Sequence, residues 1–286
     1  MDGVLVIDKP TGLTSHDVVA AARRALRERR IGHTGTLDPL ATGVLPLACG
    51  RATRLVRFLT ASEKEYEAAI RFGVTTDSYD ATGTETSRSG LRPDADAVTR
   101  GLAALTGSYL QMPPAFSAKK VAGQRAYEMA RAAKPVVLTP APVTVVRSDL
   151  LELAGELARV RLTCSAGFYV RSFAHSLGEL VGTGACLQDL RRTRSGEFTL
   201  DRSIGLETLV QGGAEEAVIP LNRLLTAFPA AILTDQDRKR VSHGQEIDGD
   251  SDSAEWVRLE DQGGHLVAIA RAGSRPGSLH PAVVLI

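Results

Sequence analysis

An α+β protein with a small β-rich appendage is the fold class that this sequence predicts, and three observations predict it. Short strand-like apolar segments interleave with amphipathic helical stretches. The chain has 286 residues, enough to bury a substantial core. Composition shifts near Ala227 to Ile232, and only short strand-like pieces separated by Gly- and Asp-rich turns follow it. We therefore expect one main domain over residues 1–231 and a small one over 232–286.

The elements follow from hydrophobic period and turn chemistry. Val4 to Ile7 reads as a short buried strand, and Lys9-Pro10-Thr11-Gly12 as a turn. Thr14 or Ser15 can cap a helix that turns Val18, Val19, Ala22 and Leu26 inward, with Arg23, Arg24, Arg27 and Arg30 on the opposite, solvated face. Gly32 to Gly50 is rich in Gly, Thr and Pro and is expected to be a shaped loop with at most a short helical piece after Pro39. Tyr66 to Phe72 alternates as a strand does, and Thr76 to Gly83 is the loop at its end. Asp94 to Leu105 reads as a helix, and Pro113 and Pro114 exclude a regular element after it. A further helix is expected over Gln124 to Ala133. Strands are expected over Val143 to Arg147 and Arg159 to Ser165, then a helix over Tyr169 to Val181, and strand-like pieces at Trp256 to Leu259, Leu266 to Ala270 and Val283 to Leu285.

Composition removes several classes of function. Hydrophobic residues make up 43% and charged residues 23%, the balance of a folded globular chain rather than a disordered one. Neither a secretory leader nor a run of 18 apolar residues is present, so a cytoplasmic location with no membrane contact is expected. Cys49, Cys164 and Cys186 are odd in number and far apart, which suits ordinary buried thiols better than a disulfide framework or a zinc knuckle. The net charge of +1 is uninformative, but its distribution is not. Eight Arg lie between His16 and Arg57, whereas nine carboxylates lie between Ile232 and Gly263, an asymmetry that can orient an anionic partner.

The chemistry concentrates in His33-Thr34-Gly35-Thr36-Leu37-Asp38-Pro39-Leu40-Ala41-Thr42-Gly43-Val44-Leu45-Pro46. One carboxylate sits among small residues, and the proline behind it biases Asp38 towards extended backbone. Such a carboxylate can serve as nucleophile or base, although a turn or capping Asp is the simpler reading on spacing alone. No Gly-Lys-Ser or Gly-Lys-Thr follows the glycines, which argues against a phosphate loop.

This stretch resembles the nucleophile loop of the bacterial tRNA pseudouridine-55 synthase family, and five further segments match that family in order along the chain. Gly3-Val4-Leu5 through Asp8-Lys9-Pro10-Thr11-Gly12 and Ser15 is similar to the opening motif, and Lys64-Glu65-Tyr66 with Thr76-Asp77-Ser78-Tyr79-Asp80-Ala81-Thr82-Gly83 to the second. Pro113-Pro114-Ala115-Phe116-Ser117-Ala118-Lys119-Lys120 resembles a tRNA-gripping insertion, placed near residues 112–140. Cys164-Ser165-Ala166-Gly167-Phe168-Tyr169-Val170-Arg171-Ser172 and Leu190-Arg191-Arg192-Thr193-Arg194-Ser195-Gly196 complete the set.

The resemblance implies a pseudouridine synthase catalytic domain, with a central mixed, mainly antiparallel sheet flanked by helices, followed by a small barrel-like RNA-binding domain of the PUA type. It implies that uridine 55 in the T stem-loop of tRNA is flipped out and isomerised, with a tRNA-folding activity beside the chemistry. Asp38 becomes the catalytic carboxylate, Tyr66 the aromatic residue packing on the base, and Arg171 the partner of Asp38. His33 stands at the mouth of the site, Leu190 walls the uracil pocket, and Lys9 supports it. Asp80, Lys120 and Arg191 join the substrate-binding set. Isomerisation moves no group or electron in or out, so no cofactor or metal is required, and no obligate protein partner is implied.

Two other readings remain on the residues alone. A glycoside hydrolase would use Asp38 and Asp80 as its carboxylate pair. A purely RNA-binding protein would use the Arg-rich surfaces and have no need of Asp38.

Overall fold

Along Gly3–Lys9 (β1) the side chains alternate between two destinations, and this sets the architecture. Leu5 and Ile7 enter one buried cluster, Val4 and Val6 another on the opposite face of the sheet. A sheet whose strands are apolar on both faces must be covered on both. The computed structural model describes residues 1–116, 120–121, 124–125, 138–251 and 254–286.

The helix after β1 is Ser15–Ala25 (α1), with Thr14 rather than Ser15 at its N-cap in a capping box with Asp17. The segment expected to be a loop contains two strands, Ile31–His33 (β2) and Thr42–Cys49 (β3). Gly43 and Pro46 read as breakers, yet the partner along one edge of β3 changes at that point. The strand Ala185–Ser195 (β12) pairs with Thr42 and Gly43, and β2 pairs with Leu47 to Cys49. Pro46 falls in the gap, where its missing N–H costs no ladder bond on that edge. After Pro39 the chain makes a turn, with the Ala41 N–H donating to the Asp38 carbonyl at 3.0 Å, and no helix.

The chain continues through a short helix, Val56–Thr60 (α2), and the strand Lys64–Phe72 (β4). A two-stranded flap follows from Val74–Thr76 (β5) and Glu85–Arg88 (β6), then the helix Ala95–Ala104 (α3) capped by Asp94, and the strand Gly107–Gln111 (β7). Lys120–Val121 (β8) and Gln124–Arg125 (β9) pair as a small hairpin where the sequence predicted the start of a helix. The rest of that expected helix, and the side chains of Lys119 and Lys120, lie outside the described residues. Ala141–Ala154 (β10) and Leu157–Cys164 (β11) form a long hairpin, followed by the helix Val170–Val181 (α4), β12 and Phe198–Thr199 (β13). Ile204–Gly205 (β14), the helix Leu206–Val210 (α5) and Ile219–Pro220 (β15) return the chain to the edge of β1.

Among the described residues these strands make an eleven-stranded sheet whose main path runs β14-β1-β3-β12-β4-β11-β10-β7. It is mainly antiparallel, with parallel pairings of β1 with β14 and of β3 with β12. Helices α1, α3 and α4 cover the face that carries Leu5, Ile7 and Phe72. No helix among the described residues is long and apolar enough to cross a membrane.

A second sheet follows, built from Ala230–Ile232 (β16), the helix Asp235–Ser242 (α6), Ile247–Asp248 (β17), Val257–Glu260 (β18), Leu266–Ala272 (β19) and Ser278–Val284 (β20). Its order is β16-β18-β19-β20-β17, a curled half-barrel. Val267, Ala268 and Ala270 point into its own core, whereas Leu266, Ile269 and Leu285 pack with Val4, Val6 and Val44 of the main sheet. The appendage therefore covers the second face of the large sheet.

Candidate active site

Asp38 sits in a loop whose backbone is held by polar side chains from three directions. The Ser15 hydroxyl donates to the Leu37 carbonyl at 3.0 Å and accepts from the Leu37 N–H at 2.8 Å. Lys9 is fully buried, and its ammonium donates to the carbonyls of Pro10 at 2.8 Å, Leu13 at 2.7 Å and Pro39 at 3.5 Å. Burial pushes the Lys9 pKa down to about 8 against the opposing pull of the Asp38 charge. Arg192, 1% exposed, donates to the carbonyls of Val44 at 2.7 Å, Gly35 at 3.1 Å and Thr36 at 3.4 Å. With residues 37 and 39 both anchored, the direction of the Asp38 side chain is set by the scaffold.

Arg171, in the first turn of α4, fixes the carboxylate itself. Its Nε lies 2.9 Å from Asp38 Oδ2, and its Nη1 lies 3.5 Å from Asp80 Oδ2. The guanidinium also donates to the carbonyls of Ser78 at 3.2 Å and Phe116 at 2.9 Å. A buried guanidinium needs such a set of acceptors, and here they come from three separate segments. Asp80 is almost wholly buried, and its Oδ1 accepts from the Ser78 hydroxyl, the Thr82 N–H and the Thr82 hydroxyl at 2.9, 3.0 and 2.6 Å. Asp38 keeps 35% of its side chain exposed. One Arg separating two carboxylates, one of them saturated and buried, leaves no acid and base facing across a cleft, so the paired-carboxylate glycosidase reading is overturned.

The exposed side of Asp38 opens into a cavity of about 250 Å³, lined by Tyr66, Leu190, Lys64 and Arg192 among others, with Phe168 and Tyr169 on the α4 side. Tyr66 comes from β4, 7% exposed, and burial raises its phenol pKa while the Arg192 guanidinium opposes the rise. Lys64 donates to the carbonyls of Thr60 and Ser62, both at 2.6 Å, and burial brings its ammonium down to about 8. Tyr169 is held by Gln111, whose amide oxygen accepts from the Tyr169 N–H at 2.8 Å and whose amide nitrogen donates to the Tyr169 carbonyl at 3.0 Å. The space is of a size for one ring system beside Asp38.

Asp38, Tyr66, Arg171 and Leu190 thus share one cavity. Lys9 and Asp80 stand behind its wall, their polar atoms occupied by the contacts above. Arg191 points to the other face of β12, with Nη1 and Nη2 on Asp8 Oδ1 and Oδ2 at 3.1 and 2.8 Å. His33 lies edge-on to His16 with ring centroids 5.2 Å apart, and burial lowers its pKa to about 4. Lys64 and Arg192 are the charged lining residues to which sequence reasoning gave no role. Strand period would have found Arg192, because it is two residues from Leu190 and so shares its face.

The model described as TruB family pseudouridylate synthase (N terminal domain) matches residues 23–170, and the one described as tRNA pseudouridylate synthase B C-terminal domain matches residues 171–228. This chain belongs to the TruB family of pseudouridylate synthases. The tRNA pseudouridine synthase B of Solibacter usitatus is 46% identical to it, with both chains covered in full. That of Thermobifida fusca is 44% identical over 99% of this chain and 98% of its own. Among solved structures, an H/ACA ribonucleoprotein bound to a substrate RNA containing 2′-deoxyuridine superposes with a TM-score of 0.76 at 26% identity, over 99% of this chain and 85% of that one. A Cbf5-Nop10-Gar1 complex gives 0.75 at 27% identity, with the same coverage. The two TruB models meet between Val170 and Arg171, so the cavity draws Asp38 and Tyr66 from the first and Arg171, Leu190 and Arg192 from the second.

Proposed function

We propose that this chain converts uridine 55 in the T stem-loop of tRNA to pseudouridine, with Asp38 as the catalytic carboxylate. One observation supports this above the others: Asp38 is held by Arg171 at 2.9 Å with its remaining surface open to a cavity sized for a single base. A stacked base cannot reach such a cavity, so the uridine is flipped out, at lower cost from a loop than from continuous duplex. The N1–C1′ bond then breaks, the uracil turns, C5 bonds to C1′, the C5 proton leaves to solvent, and N1 takes up a proton, so the product is an isomer of the substrate. Asp38 acts at C6 of the ring, at C1′ or on the C2′ proton, and each route needs the carboxylate aimed and water kept away by Tyr66 and Leu190.

In this reading His33 meets the flipped nucleotide at the mouth of the site, and Arg191 and Lys120 contribute to phosphate contact. Lys9 and Asp80 serve the substrate by holding the loop and Arg171. Residues 232–286 act as a small PUA-like RNA-binding domain after a catalytic domain over 1–231, the enzyme works in the cytoplasm, and tRNA folding accompanies modification.

The test is release of tritium from tRNA carrying 5-tritiated uridine, with no added metal or nucleotide. Release matching one uridine per tRNA is expected, together with none from a transcript carrying cytidine at position 55. Equal release from both transcripts would refute the assignment of the target.

A further inference from the structure

We propose that Arg192 is a positioning residue for the isomerisation, tying both ends of the Asp38 loop to each other beside the strand that carries Tyr66. The inference rests on the catalytic reading of Asp38 and Tyr66 given above.

Arg192 is among the largest fully buried side chains of the protein, yet its guanidinium has no carboxylate partner among the ion pairs of the described residues. Burying a cation on neutral acceptors alone is costly, and hydrophobic residues of like volume would serve packing at least as well. Its location explains the choice. On β12, Arg192 is in register with Gly43 of β3 on one side and with Tyr66 of β4 on the other. It therefore stands between the strand that ends the nucleophile loop and the strand that carries the aromatic residue of the cavity.

The side chain then takes up backbone acceptors that the sheet leaves open. Its Nε donates to the Val44 carbonyl at 2.7 Å, in the gap of β3 between the ladder with β12 and the ladder with β2. Its Nη2 and Nη1 reach the Gly35 and Thr36 carbonyls at 3.1 and 3.4 Å. One planar group thus spans the loop from residues 35 and 36, before Asp38, to residue 44, after it. The close approach is built into the backbone as well. Gly43 has φ +97°, and a Cβ there would strike the Arg192 carbonyl. An ammonium is a compact donor on a flexible stem and cannot reach three acceptors arranged in a fork. Misplacing the reacting carboxylate by about 1 Å can cost on the order of a hundredfold in rate.

The decisive variant is Arg192→Lys, which keeps the buried cation, with Arg192→Gln beside it. Each is compared with wild type in the full chain, using a tRNA transcript with 5-tritiated uridine. The single-turnover rate of tritium release, the Kd for the tRNA and the melting temperature are measured. We expect the Arg192→Lys rate to fall on the order of a hundredfold, with Kd within about threefold, the span of ordinary surface effects. A folded Arg192→Lys protein with a near-wild-type rate, or with a loss confined to Kd, would overturn the proposal. Inactive wild-type protein would instead defeat the isomerase reading itself, which separates the two failures.

Discussion

Two turns of the chain present a carboxylate to the same guanidinium, and they are built in opposite ways. The Asp80 turn spends both oxygens of its carboxylate within the protein, three donors on Oδ1 and Arg171 on Oδ2. The Asp38 loop satisfies its backbone through Ser15, Lys9 and Arg192 and leaves the carboxylate with Arg171 alone among the described residues. The difference teaches how a scaffold separates two jobs. A carboxylate saturated with donors is a structural anchor, whereas one held by its loop and by a single guanidinium edge keeps lone pairs available for reaction.

The sharpest way to break the comparison is to remove the group that both turns share. Arg171→Met should lower the single-turnover rate by at least about a thousandfold, as losses of an aiming group at a reacting charge do. It should also destabilise the fold by about 3 kcal/mol, because Asp80 remains buried without its counter-charge. Calorimetry and tritium release check the two parts, and an active Arg171→Met enzyme would erase the distinction between the turns. Asp80→Asn should come next. It preserves shape and leaves Asp38 free but loosens Arg171, so a rate loss on the order of tenfold and a stability loss of about 1–2 kcal/mol are expected, with unchanged tRNA affinity. If Asp80→Asn were as dead as a change at Asp38, the two carboxylates would not differ in role.

The smallest effect concerns pH. His33 in the folded protein protonates near 4, below its ordinary 6.5, because burial disfavours the imidazolium. Between those values the unfolded chain binds the proton and the folded chain does not, so stability is lost as pH falls from about 6.5 towards 4. His33→Gln should flatten that acid-side loss by on the order of 1 kcal/mol, read as melting temperature against pH. An identical slope in both proteins would place the acid sensitivity elsewhere.

What the sequence made legible follows from the range of the forces involved. The Asp38 loop, Tyr66 and the start of α4 were readable because ordered motifs carried them, and α1 and α3 because a polar cap precedes an amphipathic run. Strand β3 was hidden, because Gly43 and Pro46 are breakers in isolation and become acceptable only where the neighbouring strand changes from β12 to β2. Arg191 and Arg192 are adjacent and alike in type, and only the pleat sends one to Asp8 and the other beneath the cavity. The appendage was visible as a composition change, but its packing through Ile269 and Leu285 onto the face bearing Val4 and Val6 depends on contacts more than 200 residues apart in sequence.

The most direct measurement pairs chemistry with binding in one substitution, Asp38→Asn, which preserves volume and removes the charge. The account predicts that this protein folds, binds the tRNA with wild-type affinity and releases no tritium above background over many wild-type turnover times. Tritium release at the wild-type rate by the Asp38→Asn protein would contradict it.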